Sequence, residues 1–112
     1  MSIKGITIYA DDHAQFFKRS LVLYFTNGYK MSIIYGTGAY SNTLSGTRHS
    51  PKPDDRGTAE PEAAFVEVAI LDPHDAFVPF RDSGDDVRGN TDFDTVLKIA
   101  NWVDTLPTRT NA

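Results

Sequence analysis

The amino-acid sequence predicts a two-layer α+β domain: an antiparallel sheet of four to five strands with one C-terminal amphipathic helix packed on one face. Three observations support this prediction. The chain has 112 residues, enough for one hydrophobic core, so we take residues 1–112 as a single domain. Two runs of β-branched and aromatic residues flank Asn27-Gly28, which is typical of a β-hairpin. Near the carboxyl end, apolar residues recur at helical spacing.

The composition restricts the functional classes open to this chain. It contains no cysteine, which excludes a disulfide framework, a thiol nucleophile and a thiolate metal site. Residues 1–53 carry six basic and two acidic groups (+4), whereas residues 54–112 carry five basic and thirteen acidic groups (−8). The acidic half argues against nucleic acid as a partner, because binding to phosphates requires clustered lysine and arginine. We interpret the asymmetry as two ordinary solvated faces, with steering toward a charged partner or a second copy of the chain as the alternative.

Neither a membrane segment nor a signal peptide is predicted. No apolar run in the sequence reaches the ~18 residues that span a bilayer. The amino terminus lacks a basic segment followed by an apolar one. We therefore expect a cytoplasmic protein that makes no contact with a membrane.

The first predicted element is a short strand. Apolar and polar residues alternate within residues 3–9, the pattern of a half-buried strand. Asp12 then predicts a helical turn through Phe16 and Phe17, because its carboxylate can accept hydrogen bonds from the first amides of a helix.

The hairpin follows, with residues 21–25 and 31–35 as its strands. Asn27-Gly28 tolerates the positive φ angles of a two-residue type I′ turn, which would place Thr26 opposite Tyr29. In this register, the core face of the hairpin carries Val22, Tyr24, Met31, Ile33 and Tyr35. The opposite face carries Leu21, Leu23, Phe25, Lys30, Ser32 and Ile34. The opposite face is too apolar for water, so another element or a partner must cover it.

The middle of the chain predicts one long loop and two further strands. Residues 41–62 are rich in serine, threonine, proline, glycine and charge. We interpret them as a long flexible loop, with an ordered binding loop as the alternative. Residues 64–71 alternate as a strand with Glu67 on its polar face. Residues 77–80 are expected to return as an edge strand, because Pro79 has no amide hydrogen to donate.

The last predicted element is the helix. Thr91 to Asp94 read as a cap with acidic residues near the positive end of the helix dipole. Pro107 ends the helix. Its apolar stripe consists of Phe93, Val96, Leu97, Ile99, Ala100, Trp102, Val103 and Leu106.

No pattern of catalytic residues can be assembled from the sequence, so we predict that the protein is not an enzyme and uses no cofactor or metal. Serines, histidines and carboxylates occur without nucleophile-elbow or ligand spacing. The acidic segment 82–86 lacks the alternating ligands of a calcium loop. One alternative stays open: a small ligand or nucleotide could bind the loop that contains Gly36, Gly38, Tyr40 and Asn42, since paired glycines let backbone amides approach an anion.

The order of these features resembles a group of small accessory proteins of tailed bacteriophages. Asn27-Gly28-Tyr29 and Gly36-x-Gly38-x-Tyr40-Ser41-Asn42 are followed by the strand at 66–70, by Asp86-Val87-x-Gly89 and by the closing helix. The resemblance covers roughly residues 20 to 104 and brings no catalytic residues with it. It implies a non-enzymatic protein that binds and inhibits a host protein, with defence components such as CRISPR–Cas among the implied targets.

Three functional hypotheses follow: an inhibitor of a host protein, a small-ligand binder, and a self-associating structural phage protein. For the first and third, the expected partner is a host protein or a second copy, which would make the protein a homo-oligomer. The residues predicted to bind a partner are Leu21, Leu23, Phe25, Ile34, Asp82, Asp85 and Asp86.

Overall fold

The computed structural model describes residues 2–12, 17–36, 39 and 63–107, which form a five-stranded antiparallel sheet and one helix. The elements are β1 (Ile3–Asp12), β2 (Phe17–Phe25), β3 (Lys30–Gly36), β4 (Phe65–Leu71), β5 (Val87–Asp92) and α1 (Phe93–Asp104). The strands lie side by side in chain order, from β1 at one edge to β5 at the other. The predicted α+β fold with one carboxy-terminal helix on the sheet is confirmed.

The hydrophobic core lies between α1 and one face of the central strands, which we call the helix face. Alternation along the strands directs one set of side chains to this face. The helix contributes Val96, Ile99, Ala100 and Val103, which recur at helical spacing and are buried. The sheet contributes Phe25, Met31, Ile33, Val66, Val68 and Ile70, and the connection from β4 to β5 adds Phe80.

Helix α1 crosses the helix face diagonally, because its two ends are attached to different strands. It begins directly after β5, at the end of the sheet where Phe65 lies opposite Asp92. Its other end lies at the turn between β2 and β3, where the Asn27 side chain donates from Nδ2 to the carbonyls of Val103 (2.8 Å) and Leu106 (3.0 Å). These bonds satisfy carbonyls that a helix end leaves without an intrahelical partner.

The amino end of α1 is capped as the sequence predicts. The Asp92 carboxylate accepts a hydrogen bond from the Thr95 amide at 2.8 Å. The hydrogen bonds from Thr95 lower the pKa of Asp92, and the positive charges of Lys98 and Arg88 lower it further.

The hairpin turn has three residues, and the predicted two-residue turn is wrong. Phe25 donates to the Tyr29 carbonyl at 2.9 Å, and Gly28 donates to the Phe25 carbonyl at 3.0 Å. Gly28 has a φ of 92°, but Asn27 is not among the residues with positive φ, as a type I′ turn would require. The Asn27 side chain instead accepts from the Tyr29 amide and bonds the helix end, so its role is tertiary as well as local.

The extra turn residue shifts the strand register by one position and regroups the two faces. Leu21 lies opposite Ile33, and Leu23 lies opposite Met31. The helix face therefore carries Leu21, Leu23, Phe25, Met31, Ile33 and Tyr35. The far face carries Val22, Tyr24, Lys30, Ser32 and Ile34. The predicted assignment of Leu21, Leu23 and Phe25 to the far face is wrong for this reason.

Three local predictions also differ from the structure. Phe17 begins β2 and is not helical, although residues 13–16 lie outside the described part of the chain. Residues 77–80 do not form a strand, and only an isolated bridge joins Phe77 to Leu71. The fifth strand is β5, with the sequence VRGNTD, whose single large apolar residue gives no alternating pattern.

Candidate protein-binding surface

Strand β1 carries the most exposed large apolar side chains of the sheet. Ile6 is 57% exposed and Ile8 is 66% exposed, and both lie on the helix face opposite Leu23 and Leu21 of β2. Ile3 at the start of the strand is also exposed, as is Tyr9 on the far face. An isolated exposed isoleucine needs no explanation, but three isoleucines on one strand form a continuous strip.

This strip is exposed because α1 does not reach it. The helix packs on β4 and β5, and only its carboxyl end reaches the β2–β3 turn. Leu21 and Leu23 on β2 pack against the core while remaining partly accessible. Within the described residues, the helix face of β1 has no element packed above it.

One flank of α1 faces toward the strip across the helix face of the sheet. Asp104 accepts a hydrogen bond at 2.9 Å from the amide of Ser2, which immediately precedes β1, so this side of the helix faces β1. Leu97 lies seven residues before Asp104 and therefore on the same flank, with Phe93 one further turn away. Leu97 is 59% exposed and Phe93 is 47% exposed.

Strand and helix together form one candidate surface, which we call the β1–α1 surface. Its exposed members are Ile3, Ile6, Ile8, Phe93 and Leu97. The partly buried Leu21 and Leu23 lie between the two groups and form its floor. Such a combination of aliphatic and aromatic side chains can bury apolar area against another protein, and it offers no nucleophile or proton-transfer group.

The structure does not bring the predicted partner-binding residues together. Phe25 is fully buried in the core, and Leu21 and Leu23 are partly buried on the helix face. Ile34 is partly buried on the far face, where it lies opposite Ser20 and Glu67. The far face has no element packed over it in the described part of the chain.

The predicted acidic residues lie near the opposite edge of the sheet from β1. Asp82, Asp85 and Asp86 are all exposed in the connection that leads into β5. Asp82 accepts a hydrogen bond at 2.8 Å from the Arg88 guanidinium, which partly offsets its charge. Strands β2, β3 and β4 therefore lie between the β1 strip and the edge strand β5 into which this acidic connection leads.

The alternative ligand loop lies mostly outside the described residues. Gly36 ends β3, is buried, and has its carbonyl bonded by the Ala39 amide at 3.2 Å. Gly38, Tyr40 and Asn42 are not described, nor is the loop predicted at 41–62. Among the described residues, no group of three or more potential metal ligands occurs.

The segment from Asp72 to Asp75 is a turn. The Asp72 carboxylate accepts from the amides of His74 (2.8 Å) and Ala76 (3.1 Å), which is the self-bonding that makes aspartate common in turns. Asp75 has a positive φ and pairs with Lys30 at the start of β3. These contacts hold the β4–β5 connection against the hairpin.

No protein-family model matches this chain, and no curated protein or solved structure shows significant similarity to it. Within the residues that the structure describes, no helix has the length and apolar character needed to cross a membrane. The β1–α1 surface is thus assigned from its own geometry.

Sequence reasoning identified Ile6 and Ile8 as strand residues but did not identify them as surface residues. The signal was present in the chain, because two consecutive residues, Ile8 and Tyr9, are both large and must point to opposite faces. Two large side chains on opposite faces of an end strand require cover on both sides. Among the described residues, the helix lies on one face of the sheet only.

Proposed function

We propose that this protein acts by binding another protein, without catalytic chemistry of its own, and that the β1–α1 surface makes the contact. We propose further that it is a phage accessory protein that works in the cytoplasm of the host and inhibits a host protein, such as a CRISPR–Cas component. The resemblance in motif order supports the phage and host parts of the proposal. The exposed surface supports the binding part.

The observation that carries the proposal is the exposure of five large apolar side chains on β1 and on the flank of α1 that faces toward it. Ile6, Ile8 and Leu97 each expose more than half of their accessible area. Soluble proteins that act alone rarely leave such side chains contiguous, because each buried aliphatic group contributes about 1.5–3 kcal/mol when removed from water. Apolar and aromatic side chains at the centre of an interface also contribute most of its binding energy.

The surface has the anatomy of an interface centre. Its floor of Leu21 and Leu23 is held by the core, and its rim includes polar groups at Ser2 and Asp104 that are already fixed by a mutual hydrogen bond. A rigid floor lowers the entropy that is lost when a partner binds. The partner chemistry that fits is an apolar helix or loop.

A capture experiment with matched variants tests this proposal. The tagged wild-type protein, Leu97→Lys and Phe77→Lys are each exposed to host-cell lysate, and retained proteins are identified by mass spectrometry. Phe77 is the control because it is 53% exposed, similar to Leu97 at 59%, but lies in the β4–β5 connection outside the β1–α1 surface. We expect the same host protein with the wild type and Phe77→Lys, and at least tenfold less with Leu97→Lys.

Two results would contradict the proposal. One is that no host protein is retained reproducibly by the wild-type chain. The other is that both lysine variants retain the same protein equally well, which would place the contact elsewhere. The inhibitory role is tested by expressing each variant in cells that carry an active CRISPR–Cas system and measuring phage plaque numbers, which should rise with the wild type and fall back with Leu97→Lys.

A further inference from the structure

The outer edge of β1 presents a row of backbone hydrogen-bonding groups. Antiparallel pairs alternate between hydrogen-bonded and non-bonded positions, so one known bond fixes the pattern across the sheet. The bond from Phe25 to Tyr29 turns the backbone groups of Leu23 and Leu21 toward β3. The intervening residues of β2 then bond to Gly5, Thr7 and Tyr9 of β1. The backbone groups of Ile6, Ile8 and Ala10 are left pointing outward.

The two edges of the sheet differ in how well they are protected against pairing. The β5 edge is short, lies beside an irregularity in its register with β4, and includes Asn90 at a φ of 45°. Its Arg88 is held by Asp82. Irregularities and charges of this kind are the usual protection of an edge strand.

The β1 edge has no such protection between residues 6 and 10. The sequence Ile6-Thr7-Ile8-Tyr9-Ala10 contains no charge, no proline and no glycine, and its register with β2 is regular throughout. The one irregularity of β1 lies between Ile3 and Gly5, at its beginning. A long regular apolar edge is a template for another strand.

We propose that two copies of this chain pair through β1, antiparallel about a two-fold axis at Ile8, so that two five-stranded sheets become one ten-stranded sheet. Ile8 lies opposite Ile8 of the second copy, and Ile6 lies opposite Ala10. Each of these pairs exchanges two backbone hydrogen bonds, because all of these residues have outward-directed groups. The proposal does not rest on the proposed function.

A second copy fits this edge better than an unrelated strand does, because β1 is complementary to itself. Its basic residue, Lys4, lies near the beginning and its acidic residues lie at the end, Asp11 and Asp12. Antiparallel pairing brings the basic beginning of each strand to the acidic end of the other. An axis at Ile8 brings the position of Lys4, within the irregularity between Ile3 and Gly5, beside that of Asp12, whereas an axis at Thr7 brings it beside Ala10. Charge complementarity along the sequence of β1 therefore favours a second copy as the partner and Ile8 as the axis.

The two-fold pairing also joins the two apolar strips. An axis perpendicular to the sheet keeps both helices on the same face, with β2 and β1 of each copy between them. Ile8 of each copy then packs beside Ile8 of the other, and Ile6 packs beside Ala10, which reduces the exposure of both isoleucines to water. Each Leu97 remains on its own helix, with at least four strands between the two, which corresponds to five spacings or about 24 Å at 4.8 Å per strand.

Cysteine cross-linking tests the register directly, since the chain has no cysteine of its own. We compare Ile8→Cys with Leu97→Cys, two sites of similar exposure, under oxidised glutathione. Residues opposite each other in paired strands have Cα atoms about 5.5 Å apart, within the range of a disulfide. We expect a covalent dimer from Ile8→Cys that forms at least tenfold faster than any from Leu97→Cys.

Sedimentation of Ile8→Lys gives an independent measurement. Ile8 is largely exposed, so lysine leaves the monomer folded, but the two-fold axis places two lysines against each other. We expect a concentration-dependent dimer of the wild type and of Leu97→Lys. For Ile8→Lys the dimer dissociation constant should rise more than about tenfold. A monomeric wild type, an unchanged dimer of Ile8→Lys, or equal cross-linking at the two cysteine sites would each overturn the proposal.

The two proposals fail in different ways. If Leu97→Lys loses host-protein capture but still forms the dimer, the result bears on the β1–α1 surface as the binding site for the host protein. Loss of the dimer in Ile8→Lys concerns the strand edge, and it is scored by sedimentation alone because Ile8 also belongs to the β1–α1 surface.

Discussion

Replacing Asn27 with alanine should destabilise the fold by detaching the hairpin turn from the end of α1. The Asn27 side chain makes two bonds to the carbonyls of Val103 and Leu106, at 2.8 and 3.0 Å, and one from the Tyr29 amide at 3.1 Å. A hydrogen bond within a protein contributes about 0.5–1.5 kcal/mol net. Losing three such bonds, all partly buried, should lower the free energy of unfolding by about 2–3 kcal/mol.

Asn27→Asp separates the turn contribution from the helix contribution. Aspartate keeps the oxygen that accepts from Tyr29 but loses both donors to the helix carbonyls. It also places a negative charge at the negative end of the helix dipole, which costs about 0.3–1 kcal/mol. We therefore expect Asn27→Asp to be no more stable than Asn27→Ala at neutral pH, although it retains one more bond.

The assay is urea denaturation followed by the fluorescence of Trp102, which lies on α1 and is the one tryptophan of the chain. The midpoint should fall in both variants while the slope stays the same, because the surface exposed on unfolding does not change. Thr26→Ala is the control, since this neighbouring turn residue is exposed and its loss should cost less than about 0.5 kcal/mol. The reasoning is refuted if Asn27→Ala resembles Thr26→Ala, or if Asn27→Asp is clearly the more stable of the two Asn27 variants.

Two further predictions concern the turn and the helix start. Gly28→Ala should be more destabilising than Gly84→Ala in the same denaturation assay. Both glycines have positive φ, but a Cβ at Gly28 would lie 3.0 Å from Pro73 whereas one at Gly84 would meet nothing within 4 Å. Equal losses would show that the close approach is unimportant. The lowered pKa of Asp92 means that this group stabilises the fold above its unfolded pKa, and that this stabilisation is lost as pH falls through the folded pKa. Asp92→Asn should therefore show a smaller loss of stability between neutral and acidic pH than the wild type, and an identical acid dependence would refute the role of the cap.

Much of the fold could be predicted because local patterns and tertiary contacts agree in it. Strand β4 has Val66, Val68 and Ile70 at alternate positions, and all three are fully buried on one face. The helix has its capping residue Asp92 directly before an apolar stripe. Sequence reasoning succeeds where the conformation that a residue favours locally is also the one that its tertiary contacts require.

The turn register could not be predicted, because Asn-Gly fits both a two-residue and a three-residue loop. Local chemistry favours a type I′ turn at Asn27-Gly28. The structure instead uses Asn27 to bond the end of α1, nearly eighty residues further along the chain. A contact at that separation cannot be inferred from four consecutive residues. The three-residue turn that accompanies this contact places each residue of β2 on the face opposite to the predicted one.

The candidate surface follows from the width of the sheet and the number of helices. A helix with its side chains is about 10 Å wide, so it covers about two strands at 4.8 Å each. The sheet has five strands, and α1 packs on the pair at one side. With twelve residues the helix is about 18 Å long, which lets it cross diagonally to Asn27 but not extend over β1. The three-residue turn increases the apolar area that α1 leaves uncovered, because it places Leu21 and Leu23 on the helix face as well. Within the described residues, the uncovered apolar strip on β1 is therefore a consequence of the topology, and a partner chain would bury it.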